Sequence, residues 1–241
     1  MSSPPCSTRF VLVQPSHAGN VGAAARAMRV MGFDELVLVQ PRDADVLRLP
    51  ETRARASGAA EVLDRARVVG TLAEALYGCT HVCATAMTPR DFGPPTVAPR
   101  EHFAALAPQG QALALVFGPE RTGLSNEDVY RCHACLSIPT APGYGSLNLA
   151  QAVQLLAYDW RQALGGFHVQ PRTPAVQRAD ARAVDGLLAH WQAMLVDIGY
   201  LNPAAPKKLL PRLRRLVQRA GLTVEEVHIL RGIARAARRE R

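Results

Sequence analysis

Residues 9–40 read RFVLVQPSHAGNVGAAARAMRVMGFDELVLVQ, and this stretch decides the fold class. It holds two runs of aliphatic residues, 9–14 and 35–40, and each is typical of a buried strand. The small-residue stretch 20–31 between them predicts a helix that can lie close to its neighbours. Two strands joined by a helix predict a parallel βαβ unit, since parallel strands need a crossover connection.

The alternation of short apolar runs and helical patterns continues as far as residue 164. In the last helix, Leu149, Val153, Leu156 and Trp160 recur at helical spacing, and Ser146 is its predicted N-cap. The pattern predicts an α/β domain with a mainly parallel sheet. Its further strands are predicted at 67–69, 81–85, 113–118 and 134–138, and its helices at 71–77, 99–106 and 147–164.

Charge divides the chain into two parts. Residues 1–170 hold 14 Lys and Arg against 14 Asp and Glu, whereas the last 71 residues hold 14 against 6, so the whole excess of +8 lies there. We predict a first domain over 1–166, a proline-containing linker over 167–180 and a small basic, all-α domain over 181–241, broken near Asn202 and Gly221. Segregated positive charge indicates a polyanion partner, and a solvated basic surface is the alternative.

Composition excludes several classes of protein. No apolar run reaches the roughly 18 residues that span a bilayer, and the first residues lack the pattern of a secretory signal. Five cysteines in 241 residues do not indicate a disulfide framework. We therefore expect reduced thiols, a cytoplasmic location and no membrane partner.

The first of three unusual loops is HAGNVGAAAR, residues 17–26. Gly19 and Gly22 permit close backbone approach, and Asn20 is a predicted N-cap. Arg26 lies further along the same helix, where its guanidinium could hold a phosphate. The alternative is an ordinary capped helix with a surface arginine.

The second loop is FGPERTGLSNED, residues 117–128, directly after an apolar strand. Ser125 and Asp128 resemble a capping box, which explains the later residues structurally. Gly118, Glu120 and Arg121 have no such explanation, and charged residues at a strand end favour a functional role.

The third loop is IPTAPGYGSLNL, residues 138–149, which precedes the long apolar helix. Its prolines and glycines predict an irregular backbone whose amides and carbonyls could bind an adenine edge. Asn148 is either a structural tie or a site residue, since a buried amide needs partners. All three loops follow predicted strands, so one shared pocket at the carboxyl edge of the sheet is expected.

Other chemistries fit less well. The chain has neither GxxxxGK[ST] nor a GxGxxG after its first strand, which weighs against NTPase and ordinary dinucleotide sites. Cys132, His133 and Cys135, with Cys79 and Cys83, have irregular spacing for zinc. No metal is predicted.

Together the motifs HAGNVGAAARAMRVMGF, LVFGPERTGLSNED and IPTAPGYGSLNLAQAVQLLAYDWR resemble the SPOUT superfamily of methyltransferases, in its TrmH-like group of RNA ribose 2′-O-methylases. Within it, the chain is similar to the TrmJ-type tRNA (cytidine/uridine-32-2′-O)-methyltransferases, and KKLLPRLRRLVQRAGLTVEEVHILRGI resembles their C-terminal domain. The resemblance implies a parallel sheet with a C-terminal trefoil knot, S-adenosyl-L-methionine as cofactor, tRNA as substrate, and a homodimer whose subunits share each active site.

The resemblance also assigns residues. The motif arginine falls on Arg26, and Asn20, Glu120, Ser146 and Asn148 complete the implied catalytic set. Cofactor contacts would come largely from backbone, at Thr85, Ala86, Met87, Gly118, Ile138, Gly145, Ser146 and Leu147.

The chain departs from the family pattern in places. Pro119 stands where arginine is usual, and Ala141, Gly143 and Gly145 replace Asn, Glu and Ser. Two alternatives stay open: a methylase of the same fold that acts on another RNA such as rRNA, and a non-catalytic RNA-binding module.

Overall fold

The computed structural model describes residues 7–86, 91–170 and 176–239. The chain divides into two compact units, the first ending at His168 and the second beginning at Val169. Within the described residues, no helix is both long and apolar enough to cross a membrane.

The first unit is built on a parallel sheet. Within the described residues it has seven strands in the order β3-β2-β1-β6-β4-β7-β5, and every paired strand is parallel. The predicted parallel α/β fold is thereby confirmed. The strands are β1 (Thr8–Val13), β2 (Glu35–Val39), β3 (Arg67–Val69), β4 (His81–Thr85), β5 (Thr96–Val97), β6 (Leu113–Phe117) and β7 (Ala134–Leu136).

Helices cover both faces of this sheet, and successive strand residues alternate between the two resulting apolar layers. One face packs five helices, α1 (Ala18–Val30), α2 (Pro50–Ala56), α3 (Ala60–Arg65), α5 (Pro99–Leu106) and α7 (Leu149–Ala163). The other face packs α4 (Leu72–Leu76) and α6 (Asn126–Tyr130). Burial on both faces explains why the central strands are continuous apolar runs.

Both helix starts that carry site residues differ from the prediction. Asn20 is not an N-cap, because α1 begins at Ala18 after His17, so Asn20 lies in the first turn. Ser146 is not the N-cap of α7 either. Asn148 caps that helix, with its side chain accepting from the Ala150 amide, while Gln151 completes a capping box. At the start of α6, Ser125 is the N-cap and accepts from the Asp128 amide, as predicted. The Asp128 carboxylate accepts from the Ser125 hydroxyl instead of from the Ser125 backbone amide, so the predicted capping box is only half formed.

Close approach explains Gly22 within the first loop. A Cβ at this position would lie 2.1 Å from the backbone oxygen of Thr52 in α2, so only glycine lets the two helices pack this closely. Sequence patterns give no indication of α2 and α3, which lie in a Pro- and Arg-containing stretch after β2. Each of these two helices buries only two residues, so its apolar residues show no clear helical periodicity. Strand β5 has only two residues and is too short to show an alternating pattern.

The second unit contains three helices within its described residues, α8 (Ala181–Asp197), α9 (Leu209–Ala220) and α10 (Val224–Arg239). Leu187, Leu188, Val217 and Val227 form its small core. The breaks predicted near Asn202 and at Gly221 are confirmed, and Gly221 ends α9 in the left-handed conformation.

Candidate active site

A cleft of about 360 Å³ opens at the carboxyl ends of β4, β6 and β7, beside the start of α7. The segment after each of these strands contributes to its wall, as expected for a ligand site in a parallel sheet. Met87, the eighth predicted cofactor residue, lies outside the described residues. The other seven all line the cleft: Thr85, Ala86, Gly118, Ile138, Gly145, Ser146 and Leu147.

The walls of the cleft combine apolar side chains with folded-back backbone. Phe117, Leu136 and Leu149 supply apolar surface. Gly118 allows the loop after β6 to fold back, because a Cβ there would lie 2.3 Å from the backbone nitrogen of Leu124. The Gly123 amide closes this turn by donating to the carbonyl of Pro119 at 2.8 Å. Such a surface suits a flat aromatic ring with polar edges.

A chain of hydrogen bonds joins the three loops at one end of the cleft. The Asn20 side chain donates from Nδ2 to Glu120 Oε1 at 3.0 Å. Asn148 Nδ2 in turn donates to Asn20 Oδ1 at 2.9 Å. We call these three residues the amide–carboxylate relay. Residues 100 and 128 positions apart in sequence are thus held in one network.

Ser16 anchors the other carboxylate oxygen of the relay. Its amide donates to Glu120 Oε2 at 3.0 Å and its hydroxyl at 2.8 Å. Partial burial of Glu120 raises its pKa, but the hydrogen bonds from Asn20 and Ser16 outweigh burial, and the net pKa is lowered. Glu120 is therefore an ionised acceptor that fixes Asn20. Sequence reasoning missed Ser16, although its position directly after β1 matches that of the other loop residues.

Arg26 lies apart from the relay. Six residues further along α1 place it about 120° from Asn20 around the helix axis. Its side chain is exposed, lies outside the lining of the cleft, and makes no hydrogen bond or ion pair within the described residues. Ser146, also exposed, does line the cleft, as do Arg121 and Pro119. The described part of one chain thus brings together Asn20, Glu120 and Asn148, but leaves Arg26 facing solvent.

Comparison with known families follows the same division of the chain. The model of the SpoU rRNA Methylase family matches residues 7–158. The chain belongs to the SpoU methylase family. A second model, the C-terminal domain of the tRNA methyltransferase TrmJ, matches residues 182–241 of this SpoU methylase.

Similar proteins cover nearly the whole chain. The tRNA (cytidine/uridine/adenosine-2′-O-)-methyltransferase TrmJ of Pseudomonas aeruginosa is 43% identical over 237 residues, covering 93% of this chain and 91% of that protein. The crystal structure of TrmJ from Z. mobilis superposes with a TM-score of 0.81 at 34% identity, covering 96% of this chain and 99% of that one. An AdoMet-bound rRNA methyltransferase from Sinorhizobium meliloti, with a TM-score of 0.54 and 21% identity over 68% of this chain and 58% of that one, shares the fold.

Proposed function

We propose that this SpoU methylase transfers a methyl group from S-adenosyl-L-methionine to the ribose 2′-hydroxyl of a tRNA anticodon-loop nucleotide, cytidine or uridine at position 32. The observation that carries the proposal is the amide–carboxylate relay, which ties the three loop motifs together beside the cleft. The P. aeruginosa relative, with its named tRNA activity, supports the substrate class.

The cleft fits S-adenosyl-L-methionine by its chemistry. An adenosyl group needs apolar walls for its ring and backbone polar groups for its edges, and the segments at Thr85, Gly118, Ile138 and Gly145 offer both. When bound, this co-substrate supplies an electrophilic methyl group on a sulfonium. Replacement of a family serine by Gly145 removes a side chain but keeps the backbone contacts.

A ribose hydroxyl is almost wholly protonated at neutral pH, so its attack requires alignment and a stabilised alkoxide. Arg26 is a poor base because a guanidinium stays protonated. We assign Arg26 to orienting the ribose and stabilising the developing alkoxide, with a substrate phosphate oxygen or another acceptor taking the proton. Asn20, held by Glu120 and Asn148, keeps a fixed orientation at the site.

A homodimer accounts for the position of Arg26. In one chain this arginine faces solvent outside the cleft, so a composite site with a second subunit would give it a partner. We also assign the trefoil knot of the family to the loops after β6 and β7, and a cytoplasmic location to the protein. We propose that 1–166 is the methyltransferase domain, 167–180 the linker and 181–241 the tRNA-binding domain.

The arginines of α9 fit this last role. Arg212, Arg215 and Arg219 lie on one helical face, are exposed, and have no ion pair within the described residues. We call them the α9 arginine face. Guanidinium groups in a row can bind successive phosphates of a folded RNA.

The alternative substrate is rRNA, which the name of the matching family model favours. Purified full-length protein should be incubated with labelled S-adenosyl-L-methionine and either unmodified tRNA or rRNA. We expect 2′-O-methylated cytidine and uridine from tRNA and background label from rRNA. Preferential labelling of rRNA would support the alternative, and no transfer to either would refute the enzymatic proposal.

A further inference from the structure

Three metal-ligating side chains meet at the amino end of β4, away from the cleft at its carboxyl end. His81 and Cys83 are two residues apart on this strand, so their side chains point to the same face of the sheet. His102 approaches from α5, which packs on that face. The possible ligand atoms of the three residues all lie within 4.8 Å of one another, and no other such group of three occurs among the described residues.

The spacing of these atoms matches a tetrahedral zinc ion. Zn–N bonds of about 2.0–2.1 Å and Zn–S bonds of about 2.3 Å place tetrahedral ligands about 3.4 Å apart for N···N and about 3.6 Å for N···S. His81 Nε2 lies 3.0 Å from His102 Nε2, and Cys83 Sγ lies 3.6 Å from the same nitrogen. These two distances thus lie within about 0.4 Å of the values for a tetrahedral zinc ion, and Cys83 and His81 bring their ligand atoms within 4.8 Å of each other.

Surrounding contacts hold the three side chains in place. The ring of His133 stacks on His81 with centroids 5.1 Å apart, and its Nδ1 accepts from the Val82 amide at 3.0 Å. Phe103, next to His102, is buried against Trp160 of α7 with ring centroids 5.3 Å apart. A metal ion would thus meet a largely preformed site.

We propose that His81, Cys83 and His102 bind a zinc ion that cross-links β4 to α5, a structural site distinct from the proposed methyl-transfer chemistry. Two imidazoles and one thiolate form a ligand set of the kind that zinc prefers. Both histidines are only half-buried, so water can take the fourth position. The ion takes the place of the hydrogen between the two Nε2 atoms. The imidazole that donated from Nε2 changes tautomer, its proton moving to Nδ1, so that both Nε2 lone pairs can bind zinc.

Protonation of the ligands sets the strength of binding. Zinc binds a neutral imidazole or a thiolate, so its uptake must release the proton of the Cys83 thiol. Zinc binding therefore weakens as the pH falls.

The test uses tag-free, full-length protein stripped of metal and titrated with Co²⁺ and then with Zn²⁺. We expect one equivalent of Co²⁺ to bind with a thiolate-to-metal charge-transfer band, which Zn²⁺ displaces, and we expect Zn²⁺ to raise the unfolding temperature. Cys83→Ser should remove the band, and His102→Gln should weaken binding at least about tenfold.

Cys132→Ser is the matched control, because Cys132 is a buried thiol in the apolar layer on the other face of the sheet. It should keep both the band and the thermal shift. Absence of the band in the unchanged chain, its survival in Cys83→Ser, or its loss in Cys132→Ser would overturn the proposal. If Cys83→Ser does not fold, equal Zn²⁺-induced shifts in unfolding temperature for His102→Gln and the unchanged chain would overturn it as well.

Discussion

The two units of this SpoU methylase differ in charge and in the residues that they expose. The first is neutral in charge, and its few site polar groups are tied to one another beside an apolar cleft. The second has a core of only a few residues and carries the entire positive excess of the chain. From this contrast we propose that the first unit fixes the geometry and hence the rate of methyl transfer, and that the second unit binds RNA electrostatically.

Arg26→Ala should have the largest effect of the variants considered. Arg26 is the proposed cation of the active site, and it makes no hydrogen bond to the amide–carboxylate relay. We expect methyl transfer to fall by about 10²–10³ or more, in line with the loss of one donor to a developing oxyanion. Affinity for S-adenosyl-L-methionine should stay unchanged, since Arg26 does not line the cleft. Single-turnover kinetics and calorimetric titration measure the two quantities.

Arg29→Ala is the control for this variant, because Arg29 lies on the same helix and pairs with Glu61. It should retain nearly full activity. Equal losses of activity in the two variants would show that any positive charge on α1 has the same effect. Arg26 would then have no specific role in the active site.

Glu120→Gln tests the relay. The amide removes the charge that accepts from Ser16 and Asn20, so we expect a loss of about 1–3 kcal/mol of stability together with slower transfer. The pKa of Glu120 is lowered on folding, so its contribution is present above its unfolded value of about 4.3 and is lost as pH falls through the folded value. The difference in unfolding free energy from the unchanged chain should therefore shrink below about pH 4.

Denaturant unfolding across pH measures that difference. Glu127→Gln is the control, because Glu127 forms only an exposed ion pair with Arg131 at 2.9 Å, which is worth about 0.3–0.5 kcal/mol. If Glu120→Gln destabilises the protein no more than Glu127→Gln does, the structural role of the ionised carboxylate is contradicted. A loss of stability that stays the same at low pH would contradict it as well.

Changing all three residues of the α9 arginine face to glutamine should affect capture but not chemistry. We expect tRNA affinity to fall roughly tenfold, about 1.4 kcal/mol. The dependence of log K on log salt should become shallower by about 0.7–0.9 for each phosphate that the variant no longer neutralises. The rate at saturating tRNA should be unchanged. Filter binding over a salt series provides the measurement.

Arg214→Gln in the same helix is the control, since its guanidinium already pairs with Asp185 at 2.6 Å. Its salt dependence should stay close to that of the unchanged chain. A triple variant with an unaltered salt dependence would assign RNA capture to another surface.

Variants of Asn148 should have the smallest effects, and they distinguish its role in helix capping from its role in holding Asn20. Its Oδ1 caps α7 while its Nδ2 holds Asn20. Asn148→Ser keeps a capping oxygen but removes the donor, so we expect less than about 0.5 kcal/mol of destabilisation and a clear loss of rate. Asn148→Ala should cost about 1 kcal/mol more. Full activity of Asn148→Ser would show that Asn20 needs no support from α7.

Much of this arrangement follows from sequence because parallel strands buried on both faces leave a strong signal. The strands at 67–69 and 81–85 have the predicted bounds, and the loops after β6 and β7 line one cleft as predicted. The loop after β1 lies outside the lining of this cleft and is joined to it by the hydrogen bond from Asn20 to Glu120. Caps were predicted less well. Asn20 and Asn148 both have the chemistry of an N-cap, and local sequence does not show that only Asn148 acts as one while Asn20 is held by Glu120.

Other features depend on contacts that sequence spacing does not contain. His81 and His102 are 21 positions apart, and only the packing of α5 on the sheet brings them together. Similarly, Gly22 indicated close approach, but the partner, Thr52, lies in a helix that the sequence pattern did not reveal. Ser16 contacts Glu120 across 104 positions for the same reason.

The central claim is that this protein methylates the 2′-hydroxyl of nucleotide 32 in tRNA. Two synthetic tRNAs should be compared as methyl acceptors for the full-length protein, identical except that one carries 2′-deoxyribose at nucleotide 32. We predict one methyl group per molecule in the ribose form and none in the deoxy form. Equal methyl incorporation into both would contradict the claim.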